Sequence, residues 1–214
     1  MSLNLFEKII YINLPHRKDR ENSLLKELER LQVKKDKIIK ITAHNDPLNG
    51  TRGCAISHLE ALKTAIELNL DNVLILEDDC IFPRKVSFIN KTIAEVLKHL
   101  QNDWDAICLG GLILKYKDTK HSFIKRICYS ECAHAYVVNK HYLPMLYCCF
   151  KTAYDSMKND VFYSQSRNKA IDCHWKVLQL HDRWFVPTDI VAQQSESFSD
   201  IELRYKDRTH SIKD

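Results

Sequence analysis

Residues 73–80 read Val-Leu-Ile-Leu-Glu-Asp-Asp-Cys, four apolar residues that run directly into three carboxylates, Glu77, Asp78 and Asp79. An apolar run of this kind, continuous rather than alternating, is the pattern of a strand covered on both faces of a sheet. Residues 73–76 therefore read as a central strand of an α/β fold. The acids fall just past its carboxyl end, where open α/β sheets form their ligand crevices. Three adjacent like charges repel one another at the end of a buried strand, and folding gains nothing from them. Two readings fit: a solvated turn, where Asp is common, or a site that a divalent cation neutralises. Oxygen ligands alone select a hard ion, Mn²⁺ or Mg²⁺, which shares its shell with substrate phosphates.

Outward from this strand, helix and strand patterns alternate. Upstream, residues 9–13 are β-rich, Leu24, Leu25, Leu28 and Leu31 recur at helical spacing, and residues 38–41 give a second strand, a βαβ unit. The turn residues 49–53 open a longer helix with Ile56, Leu59, Leu62 and Ile66 on one face, which feeds the central strand. Downstream, Ile89, Ile93, Val96 and Leu100 mark a helix, and residues 106–111 a strand ending in Gly110 and Gly111. Beyond Gly111 the pattern loosens into a polar, Lys-rich stretch to about Arg126. A strand at 133–138, a helix over 141–149 and a less regular C-terminal third follow. With no repeats, no Gly/Ser linker and only 4 glycines, residues 1–214 are expected to form one domain.

The 32 basic and 28 acidic residues are spread along the chain, so the net charge of +4 comes with no basic arm and no nucleic-acid partner is expected. No apolar run reaches the roughly 18 residues of a membrane-spanning helix. The opening MSLNLFEKIIYINLP reads as a first strand rather than an export signal, which leads to an expected cytoplasmic location. The 8 cysteines are then expected as thiols, and Cys128, Cys132 and His134 as parts of a buried strand pattern rather than a zinc site. Neither GxxxxGK[ST] nor GxGxxG occurs, so kinase, ATPase and dehydrogenase readings fall away.

YINLPHRKDR (11–20), GCAISHLEAL (53–62), VLILEDD (73–79), AHAYVVNK (133–140), PTDIVAQQ (187–194) and SFSDI (197–201) follow one another in this order. Together they resemble glycosyltransferase family 25, which includes bacterial lipooligosaccharide galactosyltransferases and procollagen galactosyltransferases; GCAISH followed by LEDD is the specific part. The resemblance implies a GT-A fold, a Rossmann-like, mostly parallel central sheet flanked by helices. It also implies inverting transfer of a hexose from UDP-galactose or UDP-glucose to a hydroxyl of a glycan or glycoprotein, with Mn²⁺ (or Mg²⁺) as metal. On that reading residues 1–111 form the nucleotide-sugar half and residues 112–214 the acceptor side. Asp79 would bind the metal as the last acid of a DxD-like motif, with Asp78 beside it and Glu77 near the ion, the ribose or the supporting shell.

An inverting transfer needs a base opposite the leaving group, ideally Asp or Glu. Asp172 is the first candidate, set against a role as a helix cap, with Asp155 and Asp160 behind it. Asn13, Leu14, Arg17 and Arg20 follow the first strand, where a loop would meet the diphosphate or uracil; Arg suits phosphate as a planar bidentate donor. By the resemblance, Thr42, Ala43 and His44 contact the nucleoside, and Ser57 and His58 orient the donor or support the carboxylates. His174 is a further candidate, with a surface position as its alternative. Gln193, Gln194, Ser197, Ser199 and Asp200 form a late polar cluster able to close over the diphosphate. The competing functions are a non-catalytic nucleotide-sugar or glycan-binding relative, and a nucleotidyltransferase, which would want a Gly-rich first loop that YINLPHRKDR lacks.

Overall fold

The computed structural model describes residues 2–195 and, as backbone alone, the strands β11 (Ser197–Ser199) and β12 (Arg204–Lys206), which close the element order. From the N-terminus run β1 (Lys8–Asn13), α1 (Lys18–Arg30), β2 (Ile38–Thr42), α2 (Gly50–Glu67), β3 (Asn72–Glu77) and the short β4 (Cys80–Ile81). Next come α3 (Val86–Leu100), β5 (Ala106–Cys108), β6 (Leu112–Asp118), β7 (Ile124–Glu131) and β8 (Ala135–Asn139). The remainder is α4 (Leu143–Met157), α5 (Tyr163–Ser166), α6 (Ile171–His174), α7 (Lys176–His181), β9 (Trp184–Pro187) and β10 (Gln193–Gln194).

Eight strands form one sheet in the order β2-β1-β3-β8-β5-β9-β7-β6. β1, β2 and β3 are parallel, as their helical crossovers require, and β9 is parallel to β5; β8 lies antiparallel between β3 and β5. Only β7 and β8 run against the rest, so the sheet is mixed with one dominant direction. Both faces are covered. On one, Ile10, Ile12, Val73 and Ile75 pack with Leu62, Tyr136, Phe150 and Trp175; on the other, Ile9, Tyr11, Leu74 and Leu76 pack with Leu24, Leu28, Ile89 and Ile93. Alternate residues of β1 and β3 thus serve opposite cores, and this is why their sequence is apolar without alternation. No helix among the described residues is long and apolar enough to cross a membrane.

Three stretches differ from expectation. The loose region after Gly111 contains the hairpin β6–β7 at the sheet's edge, where β6 buries little beyond Ile113 and carries a register shift next to Lys115. Edge strands with one wet face and outward lysines have little apolar signal to read. The helix expected over 141–149 continues as α4 to Met157, because Leu143, Leu146, Phe150, Ala153 and Met157 keep its spacing toward the core.

The strand expected over 106–111 ends at Cys108, and the Gly pair serves a close crossing. The amides of Val191 and Ala192 both donate to the Leu109 carbonyl, which seats that segment on Gly110. A β-carbon at Gly110 would lie 2.0 Å from the Ala192 carbonyl oxygen. Gly110→Ala is expected to cost about 3 kcal/mol in urea unfolding, the upper range of overpacking. A wild-type midpoint would mean that residues 191–192 are not held there.

Candidate functional site

Parallel register brings three carboxyl ends to one edge of the sheet: Asn13 lies opposite Thr42, and Ile12 opposite Glu77. Beside them opens a pocket of about 720 Å³, counting the solvent at its mouth. Its walls include Leu14, Arg20, Ala43, His44, Ser57, His58 and the three acids. One wall depends on a tight fit of the 43–46 loop against α2. A β-carbon at Gly53 would come within 2.6 Å of the His44 carbonyl oxygen, so only glycine allows it. Ser57 Oγ fastens the same junction, donating to the Gly53 carbonyl at 2.7 Å and accepting from the His44 amide at 2.9 Å. At the start of α2, Asn49 caps the helix by accepting from the Arg52 amide, and receives the Ser166 hydroxyl at 2.9 Å.

The three acids have different surroundings. Both oxygens of Asp78 are engaged, Oδ1 by Arg20 Nη1 at 3.0 Å and Oδ2 by Asn13 Nδ2 at 2.9 Å. Burial still pushes its carboxyl above the usual range, outweighing the opposing pull of Arg20 and Asn13. This engagement bears on the expectation that Asp78 stands at the ion: its oxygens hold Arg20 and Asn13 in place. Glu77 Oε1 lies 3.3 Å from His58 Nε2, and the other ring nitrogen of His58 meets the Tyr136 hydroxyl at 2.8 Å. Glu77 Oε2 and both oxygens of Asp79 converge on Gln194 Nε2, at 3.2, 3.3 and 3.4 Å. Asp79 is also 3.7 Å from Arg20 Nη1.

Asp172 enters from α6. The sequence allowed it to cap a helix, but the residue preceding α6 is Ala170, with no side-chain cap, and Asp172 Oδ2 instead accepts from the Cys132 amide at 3.0 Å. Cys132 adopts φ 75°, a left-handed conformation that a β-carbon disfavours by about 1–2 kcal/mol. That conformation aims its N–H at the carboxylate. Desolvation raises the Asp172 carboxyl above its ordinary value, against the opposing pull of the Cys132 N–H.

Other candidates lie elsewhere. Arg17 pairs with Asp19 at 2.9 Å rather than lining the pocket, and Thr42 is exposed at the end of β2. Asp155 pairs with Lys151 at 2.6 Å and Asp160 with Lys169 at 2.8 Å, so salt bridges account for both. His174 lies 3.3 Å from the Ala170 carbonyl, Cys128 is buried within β7, and His134 is buried just before β8. Gln193 is half-buried in β10; Ser197 and Ser199 are described by backbone alone, and Asp200 lies outside the described residues. Cys54 is the residue that sequence reasoning missed: its Sγ, a His58 nitrogen and a Glu77 oxygen lie within 4.8 Å of one another. The signal was the i,i+4 spacing of Cys54 and His58 on α2, which puts both on one face.

Among known proteins, a model of glycosyltransferase family 25 (LPS biosynthesis protein) matches residues 18–166, well over half of the chain. Procollagen galactosyltransferase 2 of Mus musculus is 27% identical over 137 residues, covering 53% of this chain and 22% of its own length. Procollagen galactosyltransferase 1-B of Xenopus laevis is 30% identical over 129 residues, covering 49% and 21%. The chain therefore spans about a fifth of the length of these relatives. Of solved structures, a glycosyltransferase involved in the glycosylation of the major capsid of PBCV-1 aligns with a TM-score of 0.54 at 10% identity, covering 91% of this chain and 95% of that one. Mannose-1-phosphate geranyltransferase from Thermus thermophilus aligns at 0.50 and 13% identity, covering 84% and 72%. Such identities speak for the fold alone, which is of the GT-A type: a Rossmann-like mixed sheet flanked by helices. With its motifs in family order and the family model matching most of its length, this chain belongs to glycosyltransferase family 25.

Proposed function

We propose that this chain is an inverting, metal-dependent hexosyltransferase that moves galactose or glucose from a UDP-sugar to a hydroxyl of a glycan or glycoprotein. Residues 1–214 act as one domain, with residues 1–111 serving the donor and residues 112–214 the acceptor. The observation that carries this reading is the convergence of Glu77 and Asp79 at the mouth of the central strand, beside a pocket walled by the loops after β1 and β2. The donor set suits Mn²⁺ or Mg²⁺: three carboxylate oxygens meet at one point, and the buried Oδ1 of Asn13 and Oε1 of Gln194 lack hydrogen bonds among the described residues. When bound, such an ion supplies charge neutralisation for the departing diphosphate.

The chain's own residues do the remaining work. Arg20, held by Asp78, brings a fixed cation to the acids and to the donor phosphates. Leu14, Ala43 and His44 give the pocket a partly apolar wall against which a nucleoside can lie. His58 orients Glu77, in turn held by Tyr136. Asp172, with its raised affinity for a proton, accepts the proton of the acceptor hydroxyl. UDP release from UDP-galactose and UDP-glucose is the direct test. Turnover should vanish in EDTA and return with Mn²⁺; undiminished release in the chelator, or none from either donor with metal, would refute the reading.

A further inference from the structure

Gln194 belongs to β10, which pairs antiparallel with β4 so that Gln194 faces Cys80, one residue past the acids. The Ser195 amide donates to the Asp79 carbonyl at 2.7 Å, fastening the same segment to the same loop. The side chain is only 4% exposed and points at the carboxylates. Its single amide nitrogen, with two protons, faces three carboxylate oxygens at 3.2 to 3.4 Å, more acceptor than it can satisfy. Its carbonyl Oε1 is buried with no hydrogen-bond partner among the described residues. The donor end is oversubscribed while the acceptor end of the same amide is left over.

A hard divalent cation relieves the crowded end. The terminal torsion of Gln is broad and roughly two-fold, so a half-turn exchanges Nε2 for Oε1 without moving the backbone. It presents a neutral oxygen beside the carboxylates, a ligand type that such ions accept. We infer that Gln194 is a protein ligand of the cation assigned to Glu77 and Asp79, its side-chain carbonyl completing an all-oxygen set. This rests on the metal-dependent reading above. A neutral third ligand leaves two carboxylates to balance a divalent charge. Because Gln194 stands 117 residues from Glu77, the ion would tie β10 to the end of β3.

Mn²⁺ binding to the full chain, read by the electron paramagnetic resonance of the free ion, tests this without any turnover. Gln194→Met, of similar volume but with no oxygen, should weaken Mn²⁺ binding about tenfold, and Gln194→Glu should tighten it about threefold. Melting in EDTA and in Mn²⁺ gives a second readout: the rise in Tm produced by the ion should shrink in Gln194→Met and grow in Gln194→Glu. Wild-type Mn²⁺ affinity in a folded Gln194→Met protein would overturn the assignment while the metal reading stands. If Gln194→Met does not fold, weaker binding by Gln194→Glu than by wild type overturns it. A wild-type chain that binds no Mn²⁺, or an Asp79→Ala chain that binds it equally well, would remove the metal reading and this inference together.

Discussion

Asp79→Ala is expected to lower kcat for UDP-sugar turnover by about 10³-fold while the protein still folds, the scale of losing a group that stabilises developing charge in an enclosed site. Its side chain is 8% exposed and has two oxygens on the point where Glu77 and Gln194 meet, so no neighbour can replace it. The structural cost is small for a buried acid. Asp78 keeps Arg20 at 3.0 Å, and the backbone bond from Ser195 to the residue 79 carbonyl does not need the carboxylate. Removing one of three adjacent like charges also relieves repulsion. Circular-dichroism melting should therefore show a cooperative transition near that of the wild type. A folded Asp79→Ala enzyme with full turnover would place the leaving-group chemistry elsewhere.

For Asp172→Asn, kcat is expected to fall about 10³-fold with UDP binding unchanged, within the range for loss of a general base. The amide keeps an oxygen for the Cys132 amide, so the geometry of α6 survives and only the proton acceptor is lost. The pH dependence separates this from a structural role. Burial raises the Asp172 carboxyl, so the acid limb of kcat/KM should lie above the ordinary Asp value of about 3.9. Activity should rise as pH climbs through that limb, and the limb should disappear in the Asn variant. Stability runs the other way: a raised carboxyl contributes below its unfolded value and loses that contribution as pH rises through the folded one. At neutral pH the Asn protein should thus melt no lower than wild type. Unchanged turnover would leave Asp172 as an anchor for Cys132.

The legible parts of the fold are those written in consecutive residues. β1 and β3 show themselves because both of their faces are buried, and α2 because Leu59 and Leu62 return to the core at helical spacing. The β6–β7 hairpin does not, since a strand at the edge with one wet face has few buried residues to mark it. In the site, Glu77, Asp78 and Asp79 were visible as a contiguous run. Their division of labour was not, because it depends on which side chain from another element reaches each one: Asn13 and Arg20 for Asp78, His58 for Glu77, Gln194 for Glu77 and Asp79.

A buried strand ending in three acids, a βαβ unit before it and motifs in the order of one family are all legible in the residues alone. These follow from local periodicity and the cost of burying like charge, which any short window reveals. Only packing shows that Asp78 binds Arg20 and Asn13, that Asp172 turns to Cys132 instead of capping a helix, and that Gln194 arrives between Glu77 and Asp79. Those contacts join residues 40 to 117 positions apart, and they exist only because the fold brings together segments distant in the chain.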